Sequence, residues 1–382
     1  MMILNTPLRH RIAVAVFFFC CGCCFATWAS RIPSVKDQFH FNEAELGGVL
    51  FMLPLGSFLA LPFAGWAVAH YGSRVMTFLS TLCYALLLAG LGFSHSVVSM
   101  SVLLFFFGFW GDVLNIAVNV QALQVQETFY TGRSLMSSFH GMWSLGALSG
   151  AFSGGLFMKG EASLQNHFGL VTMALCLLAI IFLFFLVRKD KPREEKQPLF
   201  AWPEKSLMLL GAICFCCALC EGAMADWSSL YYKQVLNDVK RVSTTGYTSF
   251  TLLMAIGRLV GDRIADRMGY RGILLFDSIL ISLGLSVALF IATPISVIVG
   301  FGLVGFGVAT IIPIVYSLAS KSGKMAQSAA LAAVSTVGFT GFLLGPPAIG
   351  FIAHQTGLRW ALLLVLGLGI GIGLLAGKVT GR

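Results

Sequence analysis

Apolar stretches long enough to cross a bilayer recur along almost the whole chain, and this limits the fold more than any motif does. A spanning helix needs about 20 apolar residues. Twelve such stretches fall near 11–32, 44–69, 75–94, 98–122, 135–157, 166–187, 207–232, 244–262, 272–292, 294–319, 326–353 and 357–377. Divided twelve ways, 382 residues leave roughly 32 for each span and its loop, with nothing over for a sizeable soluble domain. Charged residues make up 11% of the chain, against about 25% in a soluble domain. The sequence therefore reads as an all-α membrane protein, and chains that work mainly in water, such as Rossmann enzymes or nucleic-acid readers, are excluded.

Twelve spans put both termini on one side. Seventeen lysines and arginines then fall on the terminal side and seven on the other, with Arg258 inside a span. The positive-inside rule makes the terminal side cytoplasmic. The net charge of +9 is thus largely an orientation signal, and no nucleic-acid partner is needed to explain it. Arg9, His10 and Arg11 precede an apolar run that continues to Ile32 without a small-residue cleavage site, so the first stretch reads as an uncleaved helix. The stretch 188–206, RKDKPREEKQPLFAWPEKS, is the longest polar segment. It separates a six-helix bundle over 1–187 from another over 207–382, and its mixed charges and three prolines read as a cytoplasmic linker.

The halves repeat. Ala26-Thr27-Trp28-Ala29-Ser30 matches Ala225-Asp226-Trp227-Ser228-Ser229 at an offset of 199, and Gly65 to Arg74 matches Asp262 to Arg271, with Gly72 over Gly269. Gly146 and Gly150 sit over Gly341 and Gly345. Odd spans match odd spans, so the halves are parallel repeats, an arrangement used for alternating access.

Asp266-Arg267-Met268-Gly269-Tyr270-Arg271 is similar to the loop between second and third helices of a half in the major facilitator superfamily. Span number, linker position and both loop copies extend the resemblance over essentially the whole chain. Thr27 to Phe39, Gly132 to Gly146 and Glu221 to Tyr232 resemble a bacterial branch near the fucose-permease-like and rhizopine-transporter-like members. The resemblance implies two six-helix bundles, a location in the bacterial inner membrane, and transport of a small polar solute such as a sugar or cyclitol derivative. It also implies cytoplasmic gate loops at Gly72, Arg74, Asp262, Asp266, Arg267, Gly269 and Arg271. Ala69 and His70 replace the family's aspartate and basic residue in the N-terminal copy, so the loop latch is expected intact only in the C-terminal half.

Ionisable residues inside spans cost about 2.5–3.5 kcal/mol on insertion scales and so mark functional positions. Asp112, Asn115 and Asn119 lie at i, i+3 and i+7, one face of span 4. The resemblance sets the fourth and seventh helices along the central cavity, where Glu221 would face the same space. A low-dielectric cavity disfavours the charged form of a carboxylate, a property that suits a proton carrier, so Asp112 and Glu221 are the proton-coupling candidates. A helix-packing hydrogen-bond cluster is the competing reading. Asp226 lies beside Trp227, Tyr231 and Tyr232 at the expected interfacial depth, as a gate, a solute contact or a structural pair. Asp277, six residues past Arg271, is expected near the cytoplasmic end, within reach of water or the loop arginines.

Arg31, with Thr27 and Trp28 one turn behind, is either a snorkelling interfacial arginine or a clamp for an anionic or hydroxylated solute. Arg258 precedes Asp262 by four residues, the spacing of a local helical pair. His140 shares a face with Ser137 and Ser144 as an interhelical or a titrating histidine. Thr310, Pro313 and Ser317 line one face of span 10, and Pro313 and Gly345-Pro346-Pro347 are positions where spans 10 and 11 can bend. Of ten cysteines, four cluster in span 1 and four in span 7; they read as packing thiols, and no metal site is expected. No GxxxxGK[ST], HExxH or GxSxG motif occurs, so neither an ATP-driven pump nor an enzyme is indicated, and no cofactor is expected. The partners expected are the bilayer, a small-molecule solute and protons, for a chain acting as a monomer. An exporter of amphipathic compounds, or a receptor that binds without transport, remain the alternatives.

Overall fold

A computed structural model of the chain describes residues 6–130, 135–188, 205–236, 244–321 and 327–379. Among them every regular element is a helix. Ten helices are long and apolar enough to cross a membrane. The fifth and eighth spans are helical as well, in α7 and the first part of α10. Residues 189–204 of the expected linker lie outside the described residues.

The chain divides into two compact units, Met1–Arg31 with Met52–Glu194, and Ile32–Phe51 with Glu195–Arg382. Unit 1 contains α1 (Thr6–Ser30), α4 (Met52–Tyr71), α5 (Ser73–Gly92), α6 (Val97–Phe129), α7 (Met136–Lys159) and α8 (Leu164–Leu183). Unit 2 takes α2 (Ile32–Phe39) and α3 (Glu43–Leu50) together with α9 (Lys205–Leu236), α10 (Thr245–Ser286), a π-helical turn (Val287–Ile291), α11 (Pro294–Val308), α12 (Ile311–Ser320), α13 (Gln327–Thr356), α14 (Leu358–Ala361) and α15 (Leu363–Ala376).

Helix ends follow local chemistry. Asn42 and Glu45 form a capping box that starts α3, and Ser96 with Ser99 and Thr293 with Ser296 do the same for α6 and α11. Gly72 (φ 85°) and Gly269 (φ 71°) hold left-handed backbone, Gly72 ahead of α5 and Gly269 at the kink inside α10. A side chain is disfavoured there.

Apolar side chains give little drive for helices to associate in lipid, so close backbone approach at small residues does more of the work. The repeat read from sequence reappears as repeated contacts within each unit. A Cβ on Gly108 would sit 2.0 Å from the Leu53 carbonyl oxygen, and one on Gly305 2.1 Å from that of Phe250. A Cβ on Gly146 would meet the Phe19 carbonyl at 2.1 Å, and one on Gly341 that of Phe215 at 2.4 Å. The α3 helix joins unit 2 in the same way: a Cβ on Gly47 would lie 2.7 Å from the Pro346 carbonyl, and one on Gly350 2.6 Å from that of Glu43. Lys36 pairs with Glu43 at 2.7 Å, and Lys233 of α9 pairs with Asp37. Span 10 is broken between α11 and α12, whereas Pro346 and Pro347 lie inside the uninterrupted α13.

Candidate functional site

In unit 1, α6 carries the polar stripe. Asp112 is half-buried and interacts with the side chains of Ser57 and Asn115. Asn119 donates to the Asn115 carbonyl at 2.8 Å and to its side-chain oxygen at 3.1 Å. This internal bonding leaves Asn115 exposed at the surface of its unit. Asp112 has no cation beside it among the described residues, so its remaining lone pairs are open to donors. His140 is also exposed, edge-on to Phe18 at 5.3 Å between ring centroids. Trp143, which sequence reading passed over, is half-buried and tilts against Phe25 at 6.4 Å. The side chain of Ser137 lies outside the described residues.

The other unit 1 candidates lie in the packed interior. Thr27 is fully buried, and its hydroxyl donates to the Cys23 carbonyl at 2.7 Å. Trp28 is 1% exposed, packed between Phe107 and Phe168, so it is not an interfacial anchor. Arg31 does not snorkel; it is 4% exposed and donates to the Ala162 carbonyl at 2.9 Å. It ties the end of α1 to the turn before α8. His167 stands near Arg31 and meets the Ser153 hydroxyl at 3.0 Å. A lone histidine in an apolar span gave no sign of this pairing.

In unit 2, Glu221 of α9 is half-buried and pairs with Arg258 of α10 at 3.4 Å. The local partner expected for Arg258 from spacing, Asp262, has its side chain outside the described residues; the pair seen for Arg258 reaches across to another helix. Asp226 is half-buried with no hydrogen bond or ion pair among the described residues. Trp227 and Tyr231 are buried, and Tyr231 donates to the Ala288 carbonyl at 3.2 Å, so this group belongs to the core and not to a lipid interface. Asp277, expected near the cytoplasmic end, reaches neither water nor the loop arginines: it is 1% exposed and accepts from the Thr310 hydroxyl. Thr310 is thus already engaged within the bundle.

The two gate loops make different contacts. In the N-terminal copy, Arg74 donates to the Leu183 carbonyl at 3.3 Å. Buried Gln121 bonds Ser73 at 2.6 Å and exchanges two hydrogen bonds with the Val187 backbone. In the C-terminal copy, Asp266, Arg267 and Arg271 are exposed and form no ion pair among the described residues. There Tyr270 takes part instead, bonded by Lys321 at 2.8 Å and in contact with the Ser317 hydroxyl at 3.2 Å.

These two units of glycine-packed spans match known proteins. The model of the Major Facilitator Superfamily matches residues 13–329 and 241–380. The chain belongs to the major facilitator superfamily. An uncharacterized MFS-type transporter of Yersinia pestis is 33% identical over 357 residues, covering 93% of this chain and 91% of that protein. Membrane protein MosC of Rhizobium meliloti is 32% identical, covering 93% and 86%. The crystal structure of a mutant of the nucleoside transporter NupG superposes with a TM-score of 0.77 at 13% identity, covering 98% of this chain and 99% of that one. Membership in the superfamily makes this chain a multi-pass membrane transporter and not an enzyme.

Proposed function

We propose that this transporter carries a small polar solute, a sugar or cyclitol derivative, across the bacterial inner membrane by alternating access, driven by the proton gradient and with both termini cytoplasmic. The observation that carries the reading is the Asp112–Asn115–Asn119 stripe in a span with no other charged residue. A carboxylate without a cation, beside amides that donate and accept, suits vicinal hydroxyls, and the half-buried Trp143 offers a flat apolar face for a ring. Three polar residues on one face of a span would be costly against lipid. In unit 2 the Glu221–Arg258 pair cancels its own charge, which fits a contact that opens and closes during the cycle better than a solute-binding one.

A thermal-shift screen of sugars, cyclitols and amphipathic compounds on the purified protein, followed by flux of each hit in proteoliposomes, tests this. A polyol hit that accumulates under an imposed pH gradient, with accumulation lost in Asn115→Ala, is the expected result. Flux indifferent to the gradient overturns proton driving. Hits confined to amphipathic compounds overturn the solute class, and binding without flux would make the protein a receptor.

A further inference from the structure

The regular hydrogen-bond ladder of span 10 lapses over two residues, although their backbone stays in the right-handed helical region. Its first part, α11, ends at Val308, and α12 starts at Ile311, leaving Ala309 and Thr310 between them. Pro313, third residue of α12, has no N–H to return to the carbonyl of Ala309. The N–H of Ala309 bonds three residues back, to Phe306. Backbone groups at this depth must be satisfied by neighbours, and the Val308 carbonyl is approached by the Cys217 thiol of α9 at 3.7 Å. Thr310 itself turns its hydroxyl onto the Asp277 carboxyl.

Asp277 is 1% exposed, and this hydroxyl is its hydrogen-bond donor among the described residues. No cation pairs with it there. From α9 the nearby Cys217 thiol is turned to the Val308 carbonyl. The α11, π-helical and α15 segments contain no titratable side chain. Tyr316 of α12 is engaged by Ser335, and on α10 itself Arg271 is exposed at the loop while Arg258 is committed to Glu221. An ionised carboxylate would therefore exchange its hydration for one hydroxyl, at a cost of several kcal/mol. A neutral carboxylic acid meets no such cost. Transporters commonly place coupling ions where a span is broken.

We propose that Asp277 carries the coupling proton, holding it while Thr310 and the break in span 10 close over the carboxyl and releasing it when the break opens to water. In that step the carboxyl O–H bond breaks and the proton passes to water, with no change in electrons; reloading reverses it. The proposal rests on the transport reading above and moves the proton from Asp112 and Glu221 to a residue the solute need not touch.

The first test needs no solute. Infrared difference spectra of the full chain in liposomes, stepped in bulk pH, report neutral carboxyl groups through their C=O stretch. A neutral-carboxyl band at neutral pH that is missing from Asp277→Asn and retained in Asp112→Asn is expected. Thr310→Val should shift that band by removing its hydrogen bond, which keeps the test alive if Asp277→Asn fails to fold. Absence of an Asp277-dependent band, an unshifted band in Thr310→Val, or its loss on adding Na⁺ at fixed pH overturns the proposal, the last in favour of a sodium site. With a solute from the screen, Asp277→Asn should keep solute exchange and lose at least tenfold in gradient-driven accumulation; accumulation equal to wild type overturns the coupling role. A wild-type protein without proton-driven flux would sink the transport reading while leaving the infrared result to stand or fall alone.

Discussion

Neutralising Glu221 should loosen unit 2 through Arg258. The two side chains are 16% and 25% exposed, and their charges lie 3.4 Å apart. At an effective dielectric of about 20, unit charges at that distance attract by about 5 kcal/mol. Desolvation of both groups offsets much of this, so we expect a net coupling of about 1–3 kcal/mol. Glu221→Gln keeps the shape and an acceptor but leaves the arginine charge uncompensated in a bundle, the more damaging way to alter a buried pair. For a unit of this size, about 2 kcal/mol corresponds to a drop in Tm of roughly 4–8 °C. Cys217 and Cys220 are buried one turn and one residue before Glu221, so in a background with the other eight cysteines replaced a thiol-reactive dye reports the opening of α9 on heating. Glu221→Gln and Arg258→Gln should each lower Tm, and the double variant should lower it by less than their sum. Strict additivity would refute the pairing, and with it the idea that this contact opens and closes during transport.

The repeated glycine contacts predict matched damage: Gly108→Val and Gly305→Val should each destabilise by at least 1–3 kcal/mol from overpacking, while Gly367→Ala, where a Cβ meets nothing within 4 Å, should be neutral or slightly stabilising in the same thermal assay. Gly269→Ala should cost about 1–2 kcal/mol because its φ of 71° suits only glycine well; a Tm equal to wild type would show that the kink relaxes. Arg31→Lys should cost about 1.5–3 kcal/mol by losing the guanidinium bond to Ala162, read as faster proteolysis at the turn before α8; unchanged cleavage would mean that the bond holds nothing in place.

Sequence and structure agree best where a feature repeats. Gly72 over Gly269 was visible as spacing, and the shared left-handed backbone explains why both positions are glycine. The contacts of Gly108 with Leu53 and Gly305 with Phe250 carry the same offset of 197 into packing. Rotation of a span about its own axis was much harder to read. Spans apolar all round have no distinct polar side to set their orientation, so depth along the sequence suggests an interface for Trp227, and for Arg31 as one of two readings, where the helices turn both into the core. Asp277 failed similarly: its chain distance from Arg271 suggested water, but past the Gly269 kink the helix aims it at Thr310. The Glu221–Arg258 pair was illegible for another reason, since a partner on a different helix leaves no spacing to count.

The amino-acid sequence by itself determined the solvent, the helical class and the doubled plan, because those follow from the number of apolar stretches, the scarcity of charge and a near-constant offset. Only the tertiary structure decided that α2 and α3, which belong to the first sequence half, pack as part of unit 2 through Gly47, Gly350 and the Lys233–Asp37 pair. It also decided how the few acids are compensated, Glu221 by an arginine and Asp277, among the described residues, by a hydroxyl. Composition records how many charges enter the membrane, but the cost of each depends on the groups within a few ångströms of it, and helices far apart in sequence supply those groups.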